Sequence, residues 1–314
     1  MQTDSYSNTL EYELLLSCAR TRLDALSIER INNVLQQPID WAIFAQMALN
    51  QGVLSLVSHH LNTHFPSFIP QDIQFALMMH AQSSEDHNKV LSLALCKTLK
   101  LLAEQNIRAI PYKGVLFAAT IYGNIGLRQC SDVDILVHPT DYLHSRNFLL
   151  ANGFKLVEGF DLEWECALTV PEGNAVVDLH RTLLPDWFVC PIEFDELWVR
   201  CTLAACCGQS VPNLSPEDSL VVLSLYVMKD MAHESLILSQ ICDIAGLVTK
   251  IPIDWQKITE GYKLPIVHRA VKLSLQLCTK FYNDRRHNLF RSGPHADDGK
   301  AFSRCKCIRV DSIN

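Results

Sequence analysis

No run of apolar residues in this 314-residue chain approaches the roughly 18 to 20 needed to cross a bilayer. The longest, Leu220 to Met228, is interrupted by Ser224. The first 22 residues place Asp4, Glu11 and Glu13 ahead of the short apolar run Leu14 to Leu16, the reverse of a secretory signal. No membrane partner and a cytoplasmic location are therefore expected. Charge is also scarce, at 19% of residues against a usual share of about 25%. The 27 basic and 34 acidic residues leave a net charge of -7, with a pI near 5.9, which argues against a broad nucleic-acid surface. There is no Walker loop and no G-x-S-x-G elbow, so P-loop and serine-hydrolase mechanisms are excluded. Twelve cysteines are present, but no C-x-x-C pair. They read as scattered, reduced, mostly buried thiols, and Cys206-Cys207 and Cys305-x-Cys307 each lack a second pair to complete a metal site.

What the chain does have is 48% hydrophobic residues, enough for a core of its own and too many for disorder. From Tyr12 to about Leu102 apolar residues recur at helical spacing, interrupted by Pro38, Pro66 and Pro70, which predicts several helices, the best over Asn88 to Glu104. After Gln105 the pattern changes. Ile107 to Tyr112 reads as a strand, Lys113-Gly114 as a turn, Val115 to Tyr122 as a helix closed by Gly123, and Val133 to Val137 as a strand. A helix ending near Gly153 and a strand Phe154 to Val157 follow. A hairpin then pairs Glu165 to Val170 with Ala175 to His180 around Pro171-Glu172-Gly173-Asn174. Helical spacing returns beyond Pro216. A Pro-Ile-Asp-Trp run occurs twice, at Pro38 to Trp41 and at Pro252 to Trp255, each reading as a capped helix start with a packed Trp. The expected division is a helical segment 1–104, an α/β core 105–200, a helical segment 201–283 and a mobile tail 284–314 carrying +3.

The chemistry concentrates at Ser131-Asp132-Val133-Asp134-Ile135-Leu136-Val137 and Val176-Val177-Asp178-Leu179-His180. In a strand, residues two apart share a face, so Asp132 and Asp134 point together while Val133, Ile135 and Val137 pack behind them. Asp178 stands in an otherwise apolar strand with His180 on its own face, where an unpartnered carboxylate is costly. Two carboxylates about 4 Å apart repel by roughly 4 kcal/mol at an effective dielectric near 20, and a divalent cation removes that cost. Carboxylate oxygens suit Mg²⁺, which binds through a few carboxylates plus substrate phosphates. Upstream, Lys113-Gly114 at a strand-to-helix turn and Arg128 offer backbone N–H groups and positive charge to a phosphate. The set reads as a nucleotide pocket for phosphoryl or nucleotidyl transfer.

Lys113-Gly114, the helix ending in Tyr122-Gly123, Arg128-x-x-x-Asp132-x-Asp134-Ile135-Leu136-Val137 and Val177-Asp178-Leu179-His180 resemble the uncharacterised bacterial nucleotidyltransferase family of the DNA polymerase β-like superfamily. Ile39-Asp40-Trp41, Asp243-Ile244-Ala245 and Ile253-Asp254-Trp255 extend the resemblance to residues 10–280 or so. It implies a mixed α+β fold, with a minimal nucleotidyltransferase sheet between helical N- and C-terminal segments. It further implies Asp132, Asp134 and Asp178 as catalytic metal ligands, which the residues themselves suit to Mg²⁺ or Mn²⁺, with Lys113, Gly114 and Arg128 around a nucleoside triphosphate and His180 beside them, to orient a carboxylate, touch the acceptor or only hydrogen-bond to the next segment. An unidentified acceptor would receive the nucleoside monophosphate. The wider superfamily has Gly-Ser where this chain has Gly114-Val115, so a serine hydroxyl that would contact the triphosphate is absent. Two other readings compete: a non-catalytic nucleotide- or partner-binding module on the same fold, and a D-x-D glycosyltransferase. The second is disfavoured by the helical character of the first hundred residues.

Overall fold

The computed structural model describes residues 9–185, 187–188 and 192–282; the expected tail 284–314 lies outside them. The chain opens with α1 (Leu10–Cys18), α2 (Ala25–Leu35), α3 (Trp41–Asn50), α4 (Leu54–His64) and α5 (Gln71–Glu104). Thr9, Asp24 and Asp40 cap the first three, each side chain accepting from backbone N–H groups of the first turn. Pro38 follows α2 and Pro66 follows α4, whereas the 34 residues of α5 contain neither Pro nor Gly. The helix expected from Asn88 therefore begins much earlier, at Gln71.

Five strands form the main sheet in the order β1-β2-β5-β4-β3: β1 (Ala109–Pro111), β2 (Val133–Val137), β3 (Lys155–Asp161), β4 (Glu165–Thr169) and β5 (Val176–His180). Pair β2–β5 is parallel and the other pairs are antiparallel. Between β1 and β2 lie α6 (Gly114–Phe117) and a π turn, Ala118–Tyr122, closed by left-handed Gly123. Helix α7 (Tyr142–Ala151) separates β2 from β3. One face of the sheet, with Val133, Ile135, Val137, Val177 and Leu179, shares a core with Leu91, Leu95 and Leu102 of α5. Each such side chain contributes about 1.5–3 kcal/mol on burial, which leaves the opposite face of β2 and β5 free to carry polar groups.

After α8 (Phe194–Arg200) the chain forms a hairpin, β6 (Thr202–Cys206) and β7 (Gln209–Asn213), where a helical segment was expected. Cys207 and Gly208 both have positive φ, +48° and +75°, as a two-residue type I′ turn requires. The hairpin packs Ala204, Cys206 and Val211 into the sheet's core. Helices α9 (Pro216–Ala232), α10 (Leu238–Lys250), α11 (Trp255–Gly261) and α12 (Pro265–Tyr282) follow. Their Leu220, Val221, Ile241 and Val267 join Leu14, Ile31 and Phe44 in a single core, so the N- and C-terminal helices pack on one another. The two Pro-Ile-Asp-Trp runs are used alike. Asp40 and Asp254 cap α3 and α11, and their own N–H groups donate to Glu11 and Glu217, each the second residue of its helix. Among the described residues no helix is long and apolar enough to cross a membrane.

Candidate active site

The parallel register sets Asp134 of β2 beside Asp178 of β5, and Leu136 beside His180. Because alternate residues share a face, Asp134, Asp178 and His180 emerge together on the side away from α5. One ligand atom from each lies within 4.8 Å of the others. Asp134 is 7% exposed and His180 3%, so neither relies on solvent. His180 Nε2 lies 3.0 Å from Asp134 Oδ1; an ionised carboxylate only accepts, so Nε2 donates. Lys113 Nζ donates to the same oxygen at 2.9 Å. Burial alone would raise the Asp134 carboxyl, but Lys113 and His180 hold it well below the usual carboxylate range.

Among the described residues no lysine or arginine pairs with Asp178. Burial, then the charges of Asp132 and Asp134, push its carboxyl up to about 7. Asp132 stands just before β2 and outside the tight Asp134–Asp178–His180 group. It accepts from Ser131 Oγ at 2.6 Å, and burial and Asp134 raise it. The local excess is thus negative charge on hard oxygen donors, with one imidazole nitrogen alongside. That donor set fits a divalent cation such as Mg²⁺ or Mn²⁺.

Lys113 reaches Asp134 from an unusual backbone. At φ +60°, ψ -149° it occupies a region almost reserved for glycine, a strain of about 1–3 kcal/mol that gathers at functional sites. Gly114 follows at φ +51°, and a Cβ there would sit 3.5 Å from the Asp132 carbonyl. Two positive-φ residues in succession turn β1 directly into α6 beneath the carboxylates. The Lys113 ammonium also lies 4.0 Å from the centre of the Tyr226 ring, a cation–π contact. Its pKa is raised: burial opposes the charge, and the Asp134 carboxylate overcomes that opposition.

Arg128 is placed differently from the expectation. Its Nε and Nη2 donate to the Asp243 carboxylate at 2.8–3.2 Å, and Tyr122 Oη donates to the same group at 2.7 Å. The guanidinium thus fastens the 124–131 loop to α10, although its charge still reaches Asp132. Fully buried Asn88 of α5 holds the same loop, donating to the carbonyls of Ile125 and Arg128. Two further groups were not singled out from sequence. Glu165, paired with His180 across β4 and β5, brings Oε2 to 3.2 Å from His180 Nδ1, without hydrogen-bond alignment; burial raises its pKa. Tyr226 of α9 donates to the Leu183 carbonyl and meets Tyr112 Oη at 3.1 Å, so the C-terminal helices supply one wall.

The family described as "Uncharacterised nucleotidyltransferase" matches residues 37–283. A search of curated proteins finds no match. Among solved structures, a lincosamide antibiotic adenylyltransferase with lincomycin bound is 18% identical, with 50% of this chain and 96% of that one covered and a TM-score of 0.35. An antigenic nucleotidyltransferase-like protein from Paracoccidioides brasiliensis is 19% identical, with 63% and 89% covered and a TM-score of 0.42. The antibiotic-resistance factor ANT(2'')-Ia is 15% identical, with 65% and 93% covered and a TM-score of 0.36.

Proposed function

Because the chain belongs to the uncharacterised nucleotidyltransferase family, a family of nucleotidyl-transfer enzymes, we propose that it moves a nucleoside monophosphate from a nucleoside triphosphate to an acceptor hydroxyl, using Asp132, Asp134 and Asp178 around a divalent cation. The observation that carries this reading is the convergence of Asp134, Asp178 and His180 on one sheet face, with no lysine or arginine paired with Asp178 among the described residues.

In the transfer, the acceptor oxygen forms a bond to the α-phosphorus, the bond from that phosphorus to the bridging oxygen breaks, and pyrophosphate leaves with the electron pair. Asp178 would draw the proton from the acceptor hydroxyl. His180 orients Asp134 through Nε2. Lys113 neutralises Asp134 in the absence of nucleotide, and its flexible stem lets the ammonium turn towards the triphosphate, where the Gly114 backbone can approach closely. With Val115 following Gly114, no serine hydroxyl contributes, so Lys113 is the main phosphate-binding group of this turn. Arg128 acts on phosphate through its long-range charge and through the loop it fixes. A bound Mg²⁺ or Mn²⁺ would lower the pKa of the acceptor hydroxyl and offset charge on the departing pyrophosphate.

Calorimetric titration of nucleoside triphosphates in the presence of Mg²⁺ tests the binding half of this reading. Wild type is expected to bind, and Asp134→Ala and Lys113→Ala to weaken binding at least tenfold. No binding by wild type at millimolar nucleotide would end it.

A further inference from the structure

A second group of metal-ligating side chains shares no residue with the site above. Cys96 lies on α5, Cys206 ends β6 and Cys207 opens the hairpin turn. All three sulfurs lie within 4.8 Å of one another. We infer that Cys96, Cys206 and Cys207 form a three-thiolate site for a soft d¹⁰ metal ion, Zn²⁺ or Cu⁺.

Three thiolates on one ion, with metal–sulfur bonds of about 2.3 Å, stand about 3.8 Å apart. Closing the observed triangle therefore takes shifts of about 1 Å or less, within the reach of side-chain torsions. Cys96 and Cys206 are buried, and Cys207 is exposed, so the site has a wall and an access route. In the ion-free state the two buried thiols face carbonyls: Cys96 Sγ lies 3.5 Å from the Cys206 oxygen and Cys206 Sγ 3.9 Å from that of Ser92. These are weak S–H contacts. Burial raises the pKa of both buried thiols.

The turn supplies a separate observation. Cys207 holds φ +48° at a type I′ position that favours Asn, Asp or Gly. Cysteine brings no advantage to that backbone, whereas its thiol completes the triangle. Thiolate sulfur selects soft ions and leaves Mg²⁺ to the carboxylates. Each thiol that becomes a ligand releases its proton to solvent. Three sulfurs would saturate a trigonal Cu⁺, while Zn²⁺ would keep a fourth position for water. Either ion would clip the β6–β7 hairpin to α5, the helix whose Asn88 holds the loop before Asp132.

The test uses the reduced, full-length protein in a Cys305→Ser, Cys307→Ser background, which removes the other closely spaced thiol pair. Zn²⁺ and anaerobic Cu⁺ are each titrated against a chromophoric chelator, with Co²⁺ added separately to report thiolate-to-metal charge transfer. One ion per chain is expected from at least one arm, with proton release and an intense Co²⁺–thiolate band. Cys207→Asn keeps the turn conformation and is expected to lower affinity at least 100-fold with an unchanged circular dichroism spectrum. Failure of both ions to compete with a micromolar chelator, or binding by Cys207→Asn equal to the parent, would overturn the site.

Discussion

Replacing Asp178 by Asn removes one negative charge from a cluster whose lysine, Lys113, is already paired with Asp134. In the ion-free protein the Asp178 carboxyl is pushed up to about 7 by burial and by Asp132 and Asp134, whereas in an unfolded chain it titrates near 3.9. Between pH 4 and 7, therefore, the unfolded state gives up this proton while the folded state keeps it. Stability falls as pH rises through that window, and the full loss is present above about pH 7. Three units at 1.36 kcal/mol each set a ceiling of about 4 kcal/mol. Asp178 is partly exposed, and screening reduces this to about 1–3 kcal/mol. Asp178→Asn carries no titrating group and escapes the loss. Asp134, whose depressed pKa acts in the opposite direction, is common to both proteins. Urea unfolding at pH 5 and pH 8 without divalent ions should show the variant gaining about 1–3 kcal/mol on wild type between the two pH values. Adding Mg²⁺ at a hundred times its Kd should stabilise wild type by about 2.7 kcal/mol and the variant by much less. Identical pH slopes, or equal stabilisation by Mg²⁺, would refute the electrostatic reasoning.

Other changes probe the framework. Lys113→Gly and Lys113→Ala both lose the ammonium, but only glycine relieves the positive φ, so urea unfolding should place Lys113→Gly about 1–2 kcal/mol above Lys113→Ala. Arg128→Ala leaves a buried Asp243 carboxylate uncompensated and should cost about 3–5 kcal/mol; a double-mutant cycle with Asp243→Ala should then show strong non-additivity. At Gly246 a Cβ would meet Ile121 and Thr21 methyl groups at 2.7 Å. Gly246→Ala should therefore lower stability by about 1–3 kcal/mol, seen as a reduced urea midpoint.

Elements set by local pattern are legible in the sequence. The alternation in Val133 to Val137 gave the strand and placed Asp134 opposite the apolar face, and Pro171 to Asn174 marked the β4–β5 turn. Asp134, Asp178 and His180 converge because β2 and β5 are parallel neighbours in register, a pairing that strand pattern alone does not specify. The β6–β7 hairpin escaped because Thr-Leu-Ala-Ala-Cys has little β-branching and its turn opens with cysteine. The turn signal it does carry is Gly208 between two short runs. Long-range pairings were also hidden. Arg128 meets Asp243 across 115 positions, and Tyr112 meets Tyr226 across 114; periodicity carries no information at such separations. The cysteines show the same limit: Cys206-Cys207 looked incomplete because its third sulfur lies 110 positions upstream of Cys206.

The most direct measurement follows the α-phosphate. Wild-type protein is incubated with Mg²⁺ and each α-labelled nucleoside triphosphate over fractionated small-molecule, protein and RNA acceptors, in parallel with Asp134→Ala and Asp178→Ala. The expected result is label in a new covalent product with one pyrophosphate released per transfer, and at least a 100-fold loss in both variants. Label that never leaves the triphosphate in any fraction, or transfer by Asp134→Ala at the wild-type rate, would contradict a nucleotidyl transfer built on these carboxylates.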